Sequence, residues 1–322
     1  MQRRHLIGLA AGCLALPAAA GAQGPWPERP IRVVVPFPPG GATDLWARLV
    51  TEPMAAALGQ PFVIENRAGA GGMIGTEAVA RAVPDGHTLL FTIASFVQSP
   101  VVFRRWPYQP LEDFAPIGRM GTTPLPFCVR AEVPARSLAE FVAWAKGRDL
   151  AYGTYSPGSS GHAFAQLLSD VAGLNMTPVH YRGEAPMLAD VLGGRVSCAF
   201  HSMTGSGEHI RSGRLRALAT LGRAGIPSMP QVPSFVSLGY PEAFGISGFV
   251  VMLAPARVPP PVLARLAAAF RDAMARPDVL RRLAELDTIA AWLGPEDFRT
   301  DIATYMRFWS ELVTRMNLSA EG

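Results

Sequence analysis

The chain has 322 residues, and its 29 Lys and Arg against 25 Asp and Glu leave a net charge of +4. With Arg3 and Arg4 set aside as part of a removable leader, 27 basic residues face 25 acidic ones, a balance of +2 that excludes the surplus of a nucleic-acid-binding protein. The length beyond that leader exceeds what one core supports and predicts two lobes, while no later segment has the ~18 consecutive apolar residues of a membrane span.

The leader comes first. Arg3 and Arg4 precede an apolar stretch from Leu6 to Leu16, and Ala20-Gly21-Ala22 offers small residues for cleavage before Gln23. This is the build of a secretory signal over residues 1–22, so the mature chain is expected in the periplasm. The Arg pair also fits twin-arginine export, and Cys13 after Ala10-Ala11-Gly12 leaves lipid anchoring open.

Strand-like runs follow at Ile31–Phe37, Pro61–Glu65, Thr88–Ile93, Leu125–Val129, Leu150–Gly153, Thr177–Tyr181, Val196–Phe200, Leu215–Thr220 and Ile246–Ala254. Helical patterns separate most of them, at Asp44–Leu58, Met73–Ala82, Leu138–Gly147, His162–Ala172 and Pro186–Leu192. The alternation predicts mostly parallel sheets flanked by helices. The stretch from Pro260 to Asn317 reads as helical throughout, with breaks at Pro277 and Gly294–Pro295. Proline clusters at 107–126 and 227–241 mark two crossings between lobes. Residues 23–122 and 229–322 are expected to form one lobe and 123–228 an inserted second, with two hinge strands between them. Cys128 and Cys198 lie in apolar runs and read as two buried thiols, a disulfide being the alternative.

Glycine-rich turns recur at the mouths of both lobes. The first, Pro38-Pro-Gly-Gly-Ala-Thr43, joins an apolar strand to a helix. Adjacent glycines let the backbone approach a ligand, and first-turn N–H groups point at what sits there. Others are Asn66-Arg-Ala-Gly-Ala-Gly-Gly72, Tyr155-Ser-Pro-Gly-Ser-Ser-Gly-His162 and Tyr181-Arg-Gly183. Gly69 and Gly71 match part of a dinucleotide fingerprint, but the third glycine comes one residue late and no acidic strand end follows, so no cofactor is expected. No Gly-x-Ser-x-Gly elbow and no His-x-x-x-His or Cys/His cluster occurs, so neither catalysis nor a metal is expected. An enzyme reading would need His162 beside Ser159 or Ser160 as base and nucleophile. Several helix N-termini around one cleft, with Ser and Thr hydroxyls, suit a small carboxylate instead.

Arg32-Val-Val-Val-Pro-Phe-Pro-Pro-Gly-Gly41, Glu65-Asn-Arg-Ala-Gly-Ala-Gly-Gly72, Pro84-Asp-Gly86, Tyr181-Arg-Gly183, Asp190-Val-Leu-Gly-Gly194 and Leu215-Arg-Ala-Leu-Ala219 together resemble the Bug family, the solute receptors of tripartite tricarboxylate transporters. The resemblance runs in order along nearly the whole mature chain. It implies an α/β, two-lobed periplasmic binding protein, type II-like, whose lobes close on a small carboxylate; a monomer is expected, and an organic acid, amino acid or aromatic acid stays open as the ligand. Delivery would be to the transporter's membrane components, or to a signalling partner. Carried onto this sequence, the first-lobe pincer is Phe37, Pro38, Gly40, Gly41, Ala42 and Thr43, with Ser95 on the cleft floor. Thr154, Ser159, Ser160, His162, Tyr181, Gly183 and Asp190 come from the second lobe. The chain departs from the family at Phe249, where Trp is frequent, and at Ala256-Arg-Val-Pro259, where Ala-Gly-Thr-Pro is usual.

Overall fold

The computed structural model describes residues 26–103, 106–316 and 318, so the expected signal at 1–22 lies outside the described residues. In chain order the elements are β1 (Ile31–Val35), α1 (Ala42–Leu58), β2 (Phe62–Asn66), α2 (Met73–Ala80), β3 (Thr88–Ile93), α3 (Ser95–Val102) and β4 (Phe114–Thr123). There follow β5 (Pro126–Arg130), α4 (Leu138–Ala145), β6 (Asp149–Thr154), α5 (Ser160–Ala172), β7 (Asn175–His180), α6 (Glu184–Leu192), β8 (Cys198–Phe200), α7 (Met203–Arg211) and β9 (Leu215–Thr220). The chain closes with β10 (Gly248–Pro255), α8 (Pro260–Met274), α9 (Pro277–Glu285), β11 (Ile289–Leu293) and α10 (Pro295–Arg315). None of the described helices is long and apolar enough to cross a membrane.

The strands form two sheets, ordered β11-β4-β10-β3-β1-β2 and β7-β6-β8-β5-β9. Both are mixed. The βαβ units give parallel pairs, β1 with β2 and β3, and β6 with β7 and β8. The strands nearest the crossings enter antiparallel: β10 against β3 and β4, and β5 against β8 and β9. Every residue of β10 is buried, as expected of a central strand covered on both faces. The chain passes between sheets twice, from Thr123 to Pro126 and from Thr220 to Gly248. The ends align, Thr123 opposite Gly248 in one sheet and Pro126 opposite Thr220 in the other.

Helices cover the sheets by burying apolar stripes. α1 turns Ala47, Val50 and Met54, at helical spacing, into a core shared with Leu266, Phe270 and Leu283. A second core runs through both lobes, and α10 ties them: Phe298 and Tyr305 pack on Phe249 of β10, while Trp309 packs on Phe164 of α5, ring centroids 5.9 Å apart. Cys128 and Cys198 are buried free thiols, raised by burial.

The tail from Pro260 to Asn317 is not helical throughout, because β11 interrupts it and pairs with β4.

Candidate functional site

A cleft opens between the sheets, with about 700 Å³ of space free of atoms when its open mouth is counted. One wall comes from the β1–α1 turn and α1: Phe37, Pro38, Gly41, Ala42, Thr43 and Trp46. Beside it stand Ile93, Ala94, Ser95 and Gln98 from the end of β3 and the start of α3. Opposite are Tyr155, Ser160, Glu184, Ala185 and Ser202, and the floor is made by the crossings, Thr123, Leu125, Gly248 and Phe249.

The first wall is built by a buried carboxylate. Asp44, in the first turn of α1, accepts Gly40 N–H at 3.0 Å, Asn66 Nδ2 at 3.0 Å and two bonds from Arg48 at 3.0 Å each. Asn66 Nδ2 also donates to Phe37 O at 3.1 Å, tying the turn to the end of β2. Burial pushes the Asp44 carboxyl up, but the Arg48, Gly40 and Asn66 hydrogen bonds outweigh it and hold it below the usual range. Gly40 has φ +77°, a left-handed conformation that a side chain strains. Gly41 is different: its φ is −78°, and a Cβ there would meet only Pro38 O at 3.5 Å. Gly41 also leaves α1 without a side-chain cap, so the orphan amides of the first turn remain for a ligand.

The second wall rests on the loop before α5. Ser159 caps that helix, accepting His162 N–H at 3.3 Å and donating to Ser156 O at 2.7 Å. Thr154 Oγ1 donates to the same carbonyl at 2.8 Å. His162 Nδ1 accepts Gly158 N–H at 3.1 Å, and burial, then the His180 ring 4.8 Å away, pull this imidazole down to about 4. These residues brace the loop, and Ser160 is the one presented to the cleft. Gln98 of α3 grips it from the other lobe: its Nε2 donates to Ser160 Oγ at 2.8 Å and Tyr305 Oη at 2.6 Å, and its Oε1 accepts Ser160 N–H at 3.2 Å. Burial pushes the Tyr155 phenol up to about 12, against the Gly161 N–H, so it remains a donor at neutral pH.

Phe37, Pro38, Gly41, Ala42, Thr43, Ser95 and Ser160 of the expected set therefore line the cleft, while Gly40, Thr154, Ser159, His162, Tyr181, Gly183 and Asp190 are not among its lining residues. Tyr181 donates to Asp190 at 2.8 Å, and Asp190 also pairs with Arg195 at 2.5 Å. Gly183, at φ +122°, lies where a Cβ would come within 2.9 Å of Pro38 Cδ, so the two lobes touch there. Trp46, Gln98, Tyr155, Glu184 and Ser202 were not anticipated. Tyr155 and Glu184 flank glycine turns visible in the sequence, a signal that could have found them.

Two α/β lobes joined by paired crossings, with a cleft at the junction, have the architecture of a solute-binding protein. The model of the tripartite tricarboxylate transporter family receptor matches residues 46–318. BugT of Bordetella pertussis is 36% identical over 313 residues, 95% of this chain and 94% of its own. Among solved structures, Rpa4515 of R. palustris with adipate has a TM-score of 0.87 at 28% identity, covering 91% of this chain and 99% of its own. MatC from Rhodopseudomonas palustris with bound malate has a TM-score of 0.79 at 31% identity, covering 90% and 98%. The chain belongs to the tripartite tricarboxylate transporter family of receptors.

Proposed function

We propose that this receptor is a non-catalytic periplasmic protein that captures a small carboxylate between its lobes and hands it to the membrane components of a tripartite tricarboxylate transporter. The observation that carries the reading is the cleft at the paired crossings, walled on one side by the uncapped start of α1 at Gly41–Thr43 and on the other by Ser160 and Tyr155. None of the described lining residues is Arg, Lys or His, so the ligand's carboxylate is held by backbone amides, hydroxyls and water. Adipate and malate in the neighbours above support this ligand class.

The expected lobes, 23–122 with 229–322 and 123–228, fit the crossings at Thr123–Pro126 and Thr220–Gly248. Contacting both lobes lets binding energy drive closure. The pincer is Phe37, Pro38, Gly41, Ala42 and Thr43 with Ser95, closed by Ser160; Gly40, Thr154, Ser159, His162, Tyr181, Gly183 and Asp190 set the loops' shape. Against a His162–Ser159 catalytic pair stand the capping role of Ser159 and the Gly158 amide bonded to the ring's Nδ1. Titration calorimetry with organic acids on the wild type and on Gly41→Leu tests the reading. Saturable binding of an acid, lost in the folded variant, is expected; undiminished affinity in Gly41→Leu would contradict the pincer.

A further inference from the structure

Glu184 opens α6 immediately after Gly183 and is the carboxylate among the described lining residues of the cleft. It is held in one place: Ser202 N–H donates to its Oε1 at 2.6 Å and Ser202 Oγ–H to its Oε2 at 2.7 Å. Space is reserved for it as well, since a Cβ on Gly205 of α7 would come within 2.8 Å of Glu184 Cδ. Two bonds leave half of the acceptor capacity of an ionised carboxylate unused.

The described residues provide no Arg or Lys partner for it. His201 Nδ1 is 3.7 Å from Oε1, beyond hydrogen-bonding distance, and both ring nitrogens of this fully buried histidine lack a partner. A dicarboxylate seated with one end at Gly41–Thr43 would bring its other charge toward Glu184, and like charges brought together in a partly buried cleft repel. Much of the remaining lining is apolar, with Phe37, Trp46, Ile93, Leu125 and Phe249.

We infer that the cleft is built for an amino acid, with its carboxylate at the start of α1, its ammonium bonded to Glu184 and its side chain against the apolar lining. This inference rests on the carboxylate-receptor reading and narrows its substrate class.

The test is titration calorimetry of ligand-free protein with the proteinogenic amino acids, their desamino counterparts (leucine against isocaproate, phenylalanine against hydrocinnamate), malate and adipate. At least one amino acid is expected to bind about tenfold or more tightly than its desamino counterpart, the scale of a desolvated charge-assisted bond. Glu184→Gln should bring that ratio close to one. Gly205→Ala, which displaces the carboxylate without removing it, should shrink the ratio too and serves if Glu184→Gln fails to fold. Desamino acids or dicarboxylates binding the wild type as tightly as any amino acid would overturn the amino-acid assignment while leaving the receptor reading intact. An unchanged ratio in folded variants would overturn the role of Glu184. No binding by any carboxylate would overturn both readings.

Discussion

Two adjacent glycines in the first turn do different work. Gly40 supplies a backbone conformation, whereas Gly41 supplies only room, because its φ suits any residue. Gly41→Leu is therefore expected to fold with a melting temperature near the wild type's and to lose ligand binding, as thermal unfolding with calorimetry will show. Gly183→Ala combines a strained φ of +122° with a contact on Pro38, so it should loosen closure as well as cost stability. His162 gives a pH signature. Burial holds its folded pKa near 4, below the ~6.5 of an unfolded histidine, so the unfolded chain binds the extra proton between those values. The stability held above pH ~6.5 should then fall as pH drops toward ~4, by about 3 kcal/mol at most for this residue. Denaturant midpoints across that range should decline less in His162→Gln; equal slopes would contradict the assignment.

At the level of elements, long apolar or strongly periodic segments were legible in the sequence, and β1, α1, β3, α5, β9 and β10 stand close to their expected positions. Four elements were not. β4 carries Pro116, Gly118 and Gly121, which read as loop, yet its neighbours require small residues: a Cβ at Gly118 would strike Trp292, and one at Gly121 would strike Ile289 O, both at 2.2 Å. Close approach of β11 thus overrides local propensity. β11 itself, Ile-Ala-Ala-Trp-Leu, reads equally as helix and is decided by pairing with β4. α3 contains Pro100, and α7 contains Gly205 and Gly207, so neither announces a helix. Missing α3 hid Gln98, whose amide joins the lobes. Gln98→Leu leaves Ser160 N–H without its acceptor, a loss of ~1–3 kcal/mol to the closed arrangement. Ligand affinity should fall about tenfold, with a larger radius of gyration in solution scattering; an unaltered affinity would show that this clamp does not govern closure.

For the whole molecule, the βαβ order and the two proline-marked crossings made a two-lobed α/β chain legible, and the glycine turns made half of the site legible. The far wall was harder to read because its contacts are set by how the lobes meet. The lobes touch at two groups of contacts. In one, Gly183 meets Pro38 and Gln98 meets Ser160. In the other, Ser228 donates from its N–H and hydroxyl to Asp287 at 3.0 and 2.8 Å, and Thr204 Oγ1 donates to Leu286 O at 3.1 Å. Trp46, a cleft residue, donates to Thr288 beside Asp287 at 2.9 Å, so the second contact is coupled to the site. Thermal unfolding of ligand-free protein against a carboxylate panel decides whether this cleft takes up a small carboxylate. A cognate acid at a hundred times its Kd should stabilise the fold by ~2.7 kcal/mol, a shift of a few degrees. Stabilisation by sugars or cations, with none from any acid, would contradict carboxylate uptake.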